Sequence, residues 1–258
     1  MEINNIALLA ALIAGLSTGV GALPIYLKKT FSQKSMDLGM GFSAGVMLVA
    51  SFIALILPGL EKGEQVFSSN AVSVTAVLIS LVIGYGFIIV LHEFLPHEHL
   101  RKDNDMTHKR KISRVTLIIL AICLHNFPEG LAVGVGFGSG EDASGVALAL
   151  AISIQNMPEG LVVAFGLLSE GASKNKAFLM ALLSGLVEPV AAFLGFISTQ
   201  ITAYALPVSM GFAGGAMLFV ICQEMLPELF RDGNEKNASA GVVLGVVVML
   251  IIDSVLSF

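Results

Sequence analysis

Eight apolar runs follow one another along this chain of 258 residues, near 6–27, 38–60, 72–95, 114–137, 145–168, 176–199, 203–226 and 238–257. Runs of about 20 residues match the roughly 30 Å hydrocarbon core of a bilayer at about 1.5 Å of helical rise per residue. Inside lipid a peptide group finds no water, so a segment that crosses alone must bond its own backbone, and it does so as a helix. The sequence therefore predicts an all-α polytopic membrane protein of eight transmembrane helices, a single domain over 1–258. Composition agrees: 13% of residues are charged, against about 25% in an ordinary soluble domain, and the mean hydropathy is +0.87. A net charge of −5 without a long basic run gives no reason to expect a nucleic-acid partner. Cys123 and Cys222 lie in apolar runs, where a thiol behaves as a small hydrophobe, so no disulfide is expected. Met1-Glu2-Ile3-Asn4-Asn5 has no cationic region, so the first apolar run is expected to be a retained span and not a cleaved signal.

The connections carry the charge and set the orientation. Lys28, Lys29 and Lys34 belong to the first loop; Arg101, Lys102, Lys109, Arg110, Lys111 and Arg114 to the third or its edge. Lys174 and Lys176 belong to the fifth, and Arg231 and Lys236 to the seventh. Of the 14 Lys and Arg residues only Lys62 falls in an even-numbered loop, beside Glu61, Glu64, Glu141 and Asp142. The positive-inside rule makes the basic side cytoplasmic, which puts both termini outside a plasma (inner) membrane. A repeat is visible in the outer spans: Met40-Gly41-Phe42-Ser43-Ala44-Gly45-Val46-Met47-Leu48 aligns with Met210-Gly211-Phe212-Ala213-Gly214-Gly215-Ala216-Met217-Leu218, and each run ends in Leu-Pro. The second and seventh spans run in opposite directions, so this reads as an inverted repeat in a 3+2+3 plan, a common basis of secondary transporters.

The fourth and fifth spans carry a polar sequence twice. His125-Asn126-Phe127-Pro128-Glu129-Gly130 and Gln155-Asn156-Met157-Pro158-Glu159-Gly160 stand thirty residues apart, each near mid-membrane. Carboxylates are costly at that depth and persist there mainly for function. At about 100° per residue, with His125 at 0°, Asn126 lies at about 100° and Glu129 at about 40°, between them. Gln155, Asn156 and Glu159 repeat the arrangement, so two facing helices form adjacent cation sites, one His/Gln-sided and one Asn/Asn-sided, bridged by Glu129 and Glu159. Pro128 and Pro158 remove a backbone donor, which frees the carbonyls of Leu124 and Ile154, or they are ordinary membrane-helix kinks. Glu188, halfway through the sixth span and followed by Pro189, is a third mid-membrane carboxylate and a candidate ligand. Met47 reads from the sequence as core. His92, Glu93, Glu224 and Glu228 lie near the cytoplasmic ends of their spans, either interfacial or lining an exit. His97, His99 and His108 fall in a charged loop of about 97–112, expected to be solvated.

Imidazole with carboxylate and amide oxygens suits borderline divalent ions such as zinc, iron, manganese or cadmium, whereas magnesium favours oxygen ligands with retained waters. One histidine and no cysteine at the centre describe a site that releases its ion, not a structural zinc site.

On these residues the chain resembles the ZIP (Zrt/Irt-like) family of divalent metal transporters, GufA-type branch. The resemblance is carried by His125-Asn126-x-Pro128-Glu129-Gly130, Gln155-Asn156-x-Pro158-Glu159-Gly160 and Glu188, and extends through eight spans and a His-containing third loop. It implies import of metal to the cytoplasm through a binuclear centre, with zinc as cargo, no catalytic cofactor and a homodimer. The implied first site is Met47, His125, Glu129, Gln155 and Glu159; the second is Asn126, Glu129, Asn156, Glu159 and Glu188. His97 and His99 are then expected to help metal leave. Some members carry Asp where Asn156 stands, which leaves this second site one negative charge short. Two other classes use similar groups. A divalent cation channel or sensor is one; the other is an intramembrane metalloenzyme, for which the chain lacks His-Glu-x-x-His and has only His125 at mid-membrane.

Overall fold

The computed structural model describes residues 5–27, 32–94, 114–140, 142–169, 171–231 and 233–256. Among them the chain is helical and without strands. The helices are α1 (Asn5–Ala22), α2 (Pro24–Leu27), α3 (Gln33–Ala50), α4 (Leu57–Val66), α5 (Asn70–Phe94), α6 (Arg114–Gly138), α7 (Asp142–Ser169), α8 (Lys174–Gly185), α9 (Val187–Thr199), α10 (Ala205–Val220), α11 (Leu226–Leu229) and α12 (Glu235–Leu256). Seven stretches among the described residues are long and apolar enough to cross a membrane: Ile6–Leu27, Gln33–Val66, Asn70–Leu91, Gly145–Leu168, Lys174–Thr199, Ala205–Leu229 and Glu235–Val255. The 25-residue α6, which carries the first hexapeptide, packs among them. The protein is a polytopic α-helical membrane protein.

Local chemistry sets the boundaries. Ser32 caps α3 by accepting from the Ser35 N–H at 3.2 Å, and Ser173 caps α8 by accepting from Lys176 at 3.4 Å, which satisfies donors that a helix start leaves open. The turns after α6 and α7 pass through Gly140 (φ 81°) and Gly171 (φ 84°), the left-handed conformation that ends helices and favours glycine.

Proline acts differently at different sites. Helices α6 and α7 continue through Pro128 and Pro158. The stretch Lys174–Thr199 instead breaks, at Leu186 (φ −71°, ψ −3°), because Pro189 has no N–H to bond Gly185. The two Leu-Pro sequences of the repeat share a third outcome. Each is preceded by a π-helical stretch, Ser51–Ile56 and Ile221–Met225, in which Leu57 donates to Phe52 and Leu226 to Ile221, five residues back. The stretches Gln33–Val66 and Ala205–Leu229 therefore share a structural signature as well as a sequence.

Close packing rests on glycine. A Cβ on Gly41 or Gly45 of α3 would strike the carbonyl of Ala238 or Val242, and one on Gly241 or Gly245 of α12 would strike Leu38 or Phe42. Both helices thus present Gly-x-x-x-Gly to each other, the small-residue pattern that lets backbones touch in lipid. Gly130 and Gly134 of α6 do the same against the carbonyls of Glu188 and Ala192 on α9. This second contact draws the backbone of Glu188 against the turn that follows Glu129.

Candidate metal centre

The centre is built from four segments. Helix α6 supplies His125, Asn126 and Glu129; α7 supplies Gln155, Asn156 and Glu159; α9 supplies Glu188; α1 supplies a backbone carbonyl. Gln155 Nε2 donates to Glu129 Oε1 at 2.6 Å, which joins α7 to α6. Asn156 Nδ2 donates to Glu188 Oε1 at 2.6 Å and to the Ala14 carbonyl at 3.0 Å, joining α7 to α9 and α1. Asn126, Glu129, Gln155, Asn156 and Glu188 have no solvent exposure. The carboxylates of Glu159 and Glu188 lie within electrostatic range of Glu129, and Glu159 within range of His125 and Glu224.

Burial without partners sets these residues apart. Both amide atoms of Asn126, Oε2 of Glu129, Glu159 and Glu188, Oε1 of Gln155 and Oδ1 of Asn156 are buried with no hydrogen-bond partner. An orphaned buried polar atom costs about 1–3 kcal/mol, so a cluster of them from two repeats of one motif is not a packing accident. Among the described residues no three His, Cys, Asp or Glu side chains yet stand together to hold an ion. Amide N–H groups occupy one oxygen each of Glu129 and Glu188. The orphaned atoms are oxygens except for the Asn126 amide nitrogen. The set matches borderline divalent cations by donor type.

The other predicted residues divide. Met47 is fully buried on α3, one turn along the same face from Ser43, whose hydroxyl donates to the Gln155 carbonyl at 2.8 Å. Glu224, expected at the interface or along an exit, stands with Oε2 3.3 Å from His125 Nδ1. It stands in the π-helical stretch Ile221–Met225, whose turn is wider than that of a regular α-helix. Glu228 pairs with Arg231 at 2.6 Å on a half-exposed surface, a local i,i+3 contact. His92 lies in the last turn of α5, while His97, His99 and His108 lie outside the described residues. The sequence reading missed α1 as a contributor, because a backbone carbonyl such as that of Ala14 leaves no mark in a sequence. It also missed Ser43, whose only signal was its place in the Met40–Leu48 repeat.

A cavity of about 280 Å³ opens beside the far end of α6, lined by Glu61, Lys62, Ser139, Met210, Met249 and Asp253 among others. It gathers polar ends from spans that are otherwise apolar.

Comparison with known proteins shows the family. The family model described as ZIP Zinc transporter matches residues 92–253. The zinc transporter GufA of Myxococcus xanthus is 39% identical over 95% of this chain and 97% of its own length. The zinc transporter ZIPB of Bordetella bronchiseptica is 38% identical over 93% of this chain and 78% of its own. The zinc transporter ZIP11 of Homo sapiens is 30% identical, covering 96% of both. With the doubled Asn-x-Pro-Glu-Gly motif carried on α6 and α7, and full-length similarity at this level, the chain belongs to the ZIP zinc transporter family, in its GufA-type branch.

Proposed function

We propose that this protein carries divalent transition-metal ions, zinc first and also cadmium, iron or manganese, across the plasma membrane into the cytoplasm. The observation that supports this most is the cluster of buried, partnerless oxygens on Glu129, Gln155, Asn156, Glu159 and Glu188. The whole chain 1–258 acts as one transporter domain of eight spans in a 3+2+3 plan, with both termini outside and no catalytic role. Helix direction supports the alternation. Contacts of Gly41 with Ala238 and Gly45 with Val242 make α3 and α12 parallel, and those of Gly130 and Gly134 with Glu188 and Ala192 make α6 and α9 parallel. The second and eighth spans, and the fourth and sixth, must run together if eight spans alternate. The shared π-helical stretches support the inverted repeat.

In this reading the ion passes the acidic cavity at Glu61 and Asp253 and reaches the centre. There the Gln155 and Asn156 amides turn, exchanging donated N–H bonds for oxygen ligation. Two adjacent ions are held, one by Met47, His125, Glu129, Gln155 and Glu159, the other by Asn126, Glu129, Asn156, Glu159 and Glu188. The shared carboxylates of Glu129 and Glu159 screen the charge of each ion from the other. Release runs past Glu224, which contacts His125, toward His92, His97 and His99, with Glu228 at the margin. A homodimer is the expected assembly.

Purified protein in sealed vesicles tests the function. Wild type should accumulate zinc faster than empty vesicles, and Glu129→Ala should fall to the empty-vesicle rate, because it removes a ligand common to both ions. Wild-type vesicles that take up no more of any divalent ion than empty ones would overturn transport; a fully active Glu129→Ala would overturn the shared-carboxylate centre.

A further inference from the structure

We propose that Thr18 of α1 is a further cation ligand, whose hydroxyl gives an oxygen, directly or through one water, to the ion on the Asn156–Glu188 side. The inference rests on the function proposed above and extends its centre to a side chain of α1.

Thr18 stands out by what its hydroxyl does not do. Nine serines and threonines are buried among the described residues: Ser17, Thr18, Ser43, Ser51, Ser73, Ser80, Ser153, Ser184 and Thr199. Eight of them donate to a carbonyl, most often three or four residues back in their own helix, as Ser17 does to Ile13 at 2.8 Å and Ser153 to Ala149 at 2.7 Å. That local bond is the default for a helical hydroxyl in an apolar setting. Thr18 alone lacks one: its Oγ1 is buried, with the residue at 0% exposure, and has no partner. The carbonyl it would ordinarily use belongs to Ala14, which instead takes the Asn156 Nδ2 donor at 3.0 Å.

Its neighbours place it at the centre. Ala14 is one turn back on the same face of α1. Gly160, one turn from Asn156, packs against the Thr18 backbone, and a Cβ on Gly185, three residues before Glu188 across the break at Leu186, would lie 3.1 Å from Thr18 Oγ1. Thr18 thus meets a glycine on each of α7 and α8, Gly160 against its carbonyl and Gly185 near its hydroxyl. Ala14, which accepts from Asn156, and the glycines that meet Thr18 therefore each stand three or four residues from Thr18, Asn156 or Glu188. A threonine serving only to fill space would have bonded its own helix, and a valine would have filled the same volume without an orphaned polar atom.

Titration of the purified full-length protein with zinc, manganese and cadmium tests this. Thr18→Val keeps the shape and removes the oxygen. It should weaken manganese binding about tenfold, the scale expected for losing a supporting partner of a bound metal, and weaken cadmium less, because the softer ion depends less on oxygen. Thr18→Ser should retain wild-type affinities, and Thr18→Cys should tighten cadmium relative to manganese. Wild-type affinities for all three ions in Thr18→Val, or a changed melting temperature with unchanged selectivity, would overturn the assignment. If Thr18→Val does not fold, the cysteine variant decides: unchanged cadmium preference overturns it. Failure of the wild type to bind any of the three ions would overturn the transport reading instead, so the two failures are distinct.

Discussion

Asn156 shows how much one side chain does here. Its Nδ2 joins α7 to Glu188 and to the Ala14 carbonyl at once, while its Oδ1 has no partner. Asn156→Asp replaces the donor with an acceptor, so a carboxylate then faces another carboxylate and a carbonyl. Without metal the variant should lose about 1–3 kcal/mol, the cost of unpaired buried polar groups. With zinc the added charge should offset the ion's desolvation and tighten binding, and ligand linkage converts that into a larger stabilisation. Thermal melting in detergent checks both arms. The variant should melt lower than wild type without zinc and show the larger upward shift with it, and equal shifts would remove residue 156 from the metal centre. The doubled motif made the ligand types readable from the sequence alone, since His125, Glu129, Gln155 and Glu159 follow from helical angles. Which amide bonds which carboxylate did not follow, because helical angles leave the relative rotation and height of two helices open.

The elements divide between regular helices and deliberate interruptions. Helices α6 and α9 meet through Gly130 and Gly134, and that contact fixes Glu188 beside the motif. Gly134→Ala places a methyl against the Ala192 backbone and forces the helices apart. It should cost about 1–3 kcal/mol, as overpacking does, and lower zinc uptake by moving Glu188. Gly86→Ala, on α5 where a Cβ meets nothing within 4 Å, is the control and should be neutral. Melting temperature and uptake of the two variants check this, and equal behaviour would show that the α6–α9 contact is not tight. Prolines announced trouble in the sequence without saying which kind. Pro128 and Pro158 stay within continuous helices, Pro189 accompanies a break, and Pro58 and Pro227 follow π-helical turns. A missing N–H must be accommodated, but neighbouring helices decide how.

Across the whole molecule, the buried charged side chains among the described residues, Asp37, Glu129 and Glu188, are all acidic. Glu129, Glu159 and Glu188 converge with a single histidine, and a cation competes with protons for their lone pairs. Lower pH favours protonation, so uptake at fixed zinc should fall as pH drops from about 8 to about 5, whichever group titrates first. Initial rates in vesicles with matched internal and external pH measure it, and a flat profile would count against these carboxylates as ligands.

Span lengths, loop charge and the twin hexapeptides were legible along the chain, because bilayer thickness and the helical repeat are fixed lengths against which a linear pattern can be counted. They gave the fold class, the segments and the family resemblance. Contacts between distant segments were not legible: Ala14 with Asn156, 142 residues apart, or His125 with Glu224. The first depends on a backbone atom that every residue possesses, and the second joins α6 to a π-helical stretch far along the chain. Neither has a periodicity to read, so only the packing of α1, α6, α7 and α9 against one another decided which oxygens would share a site.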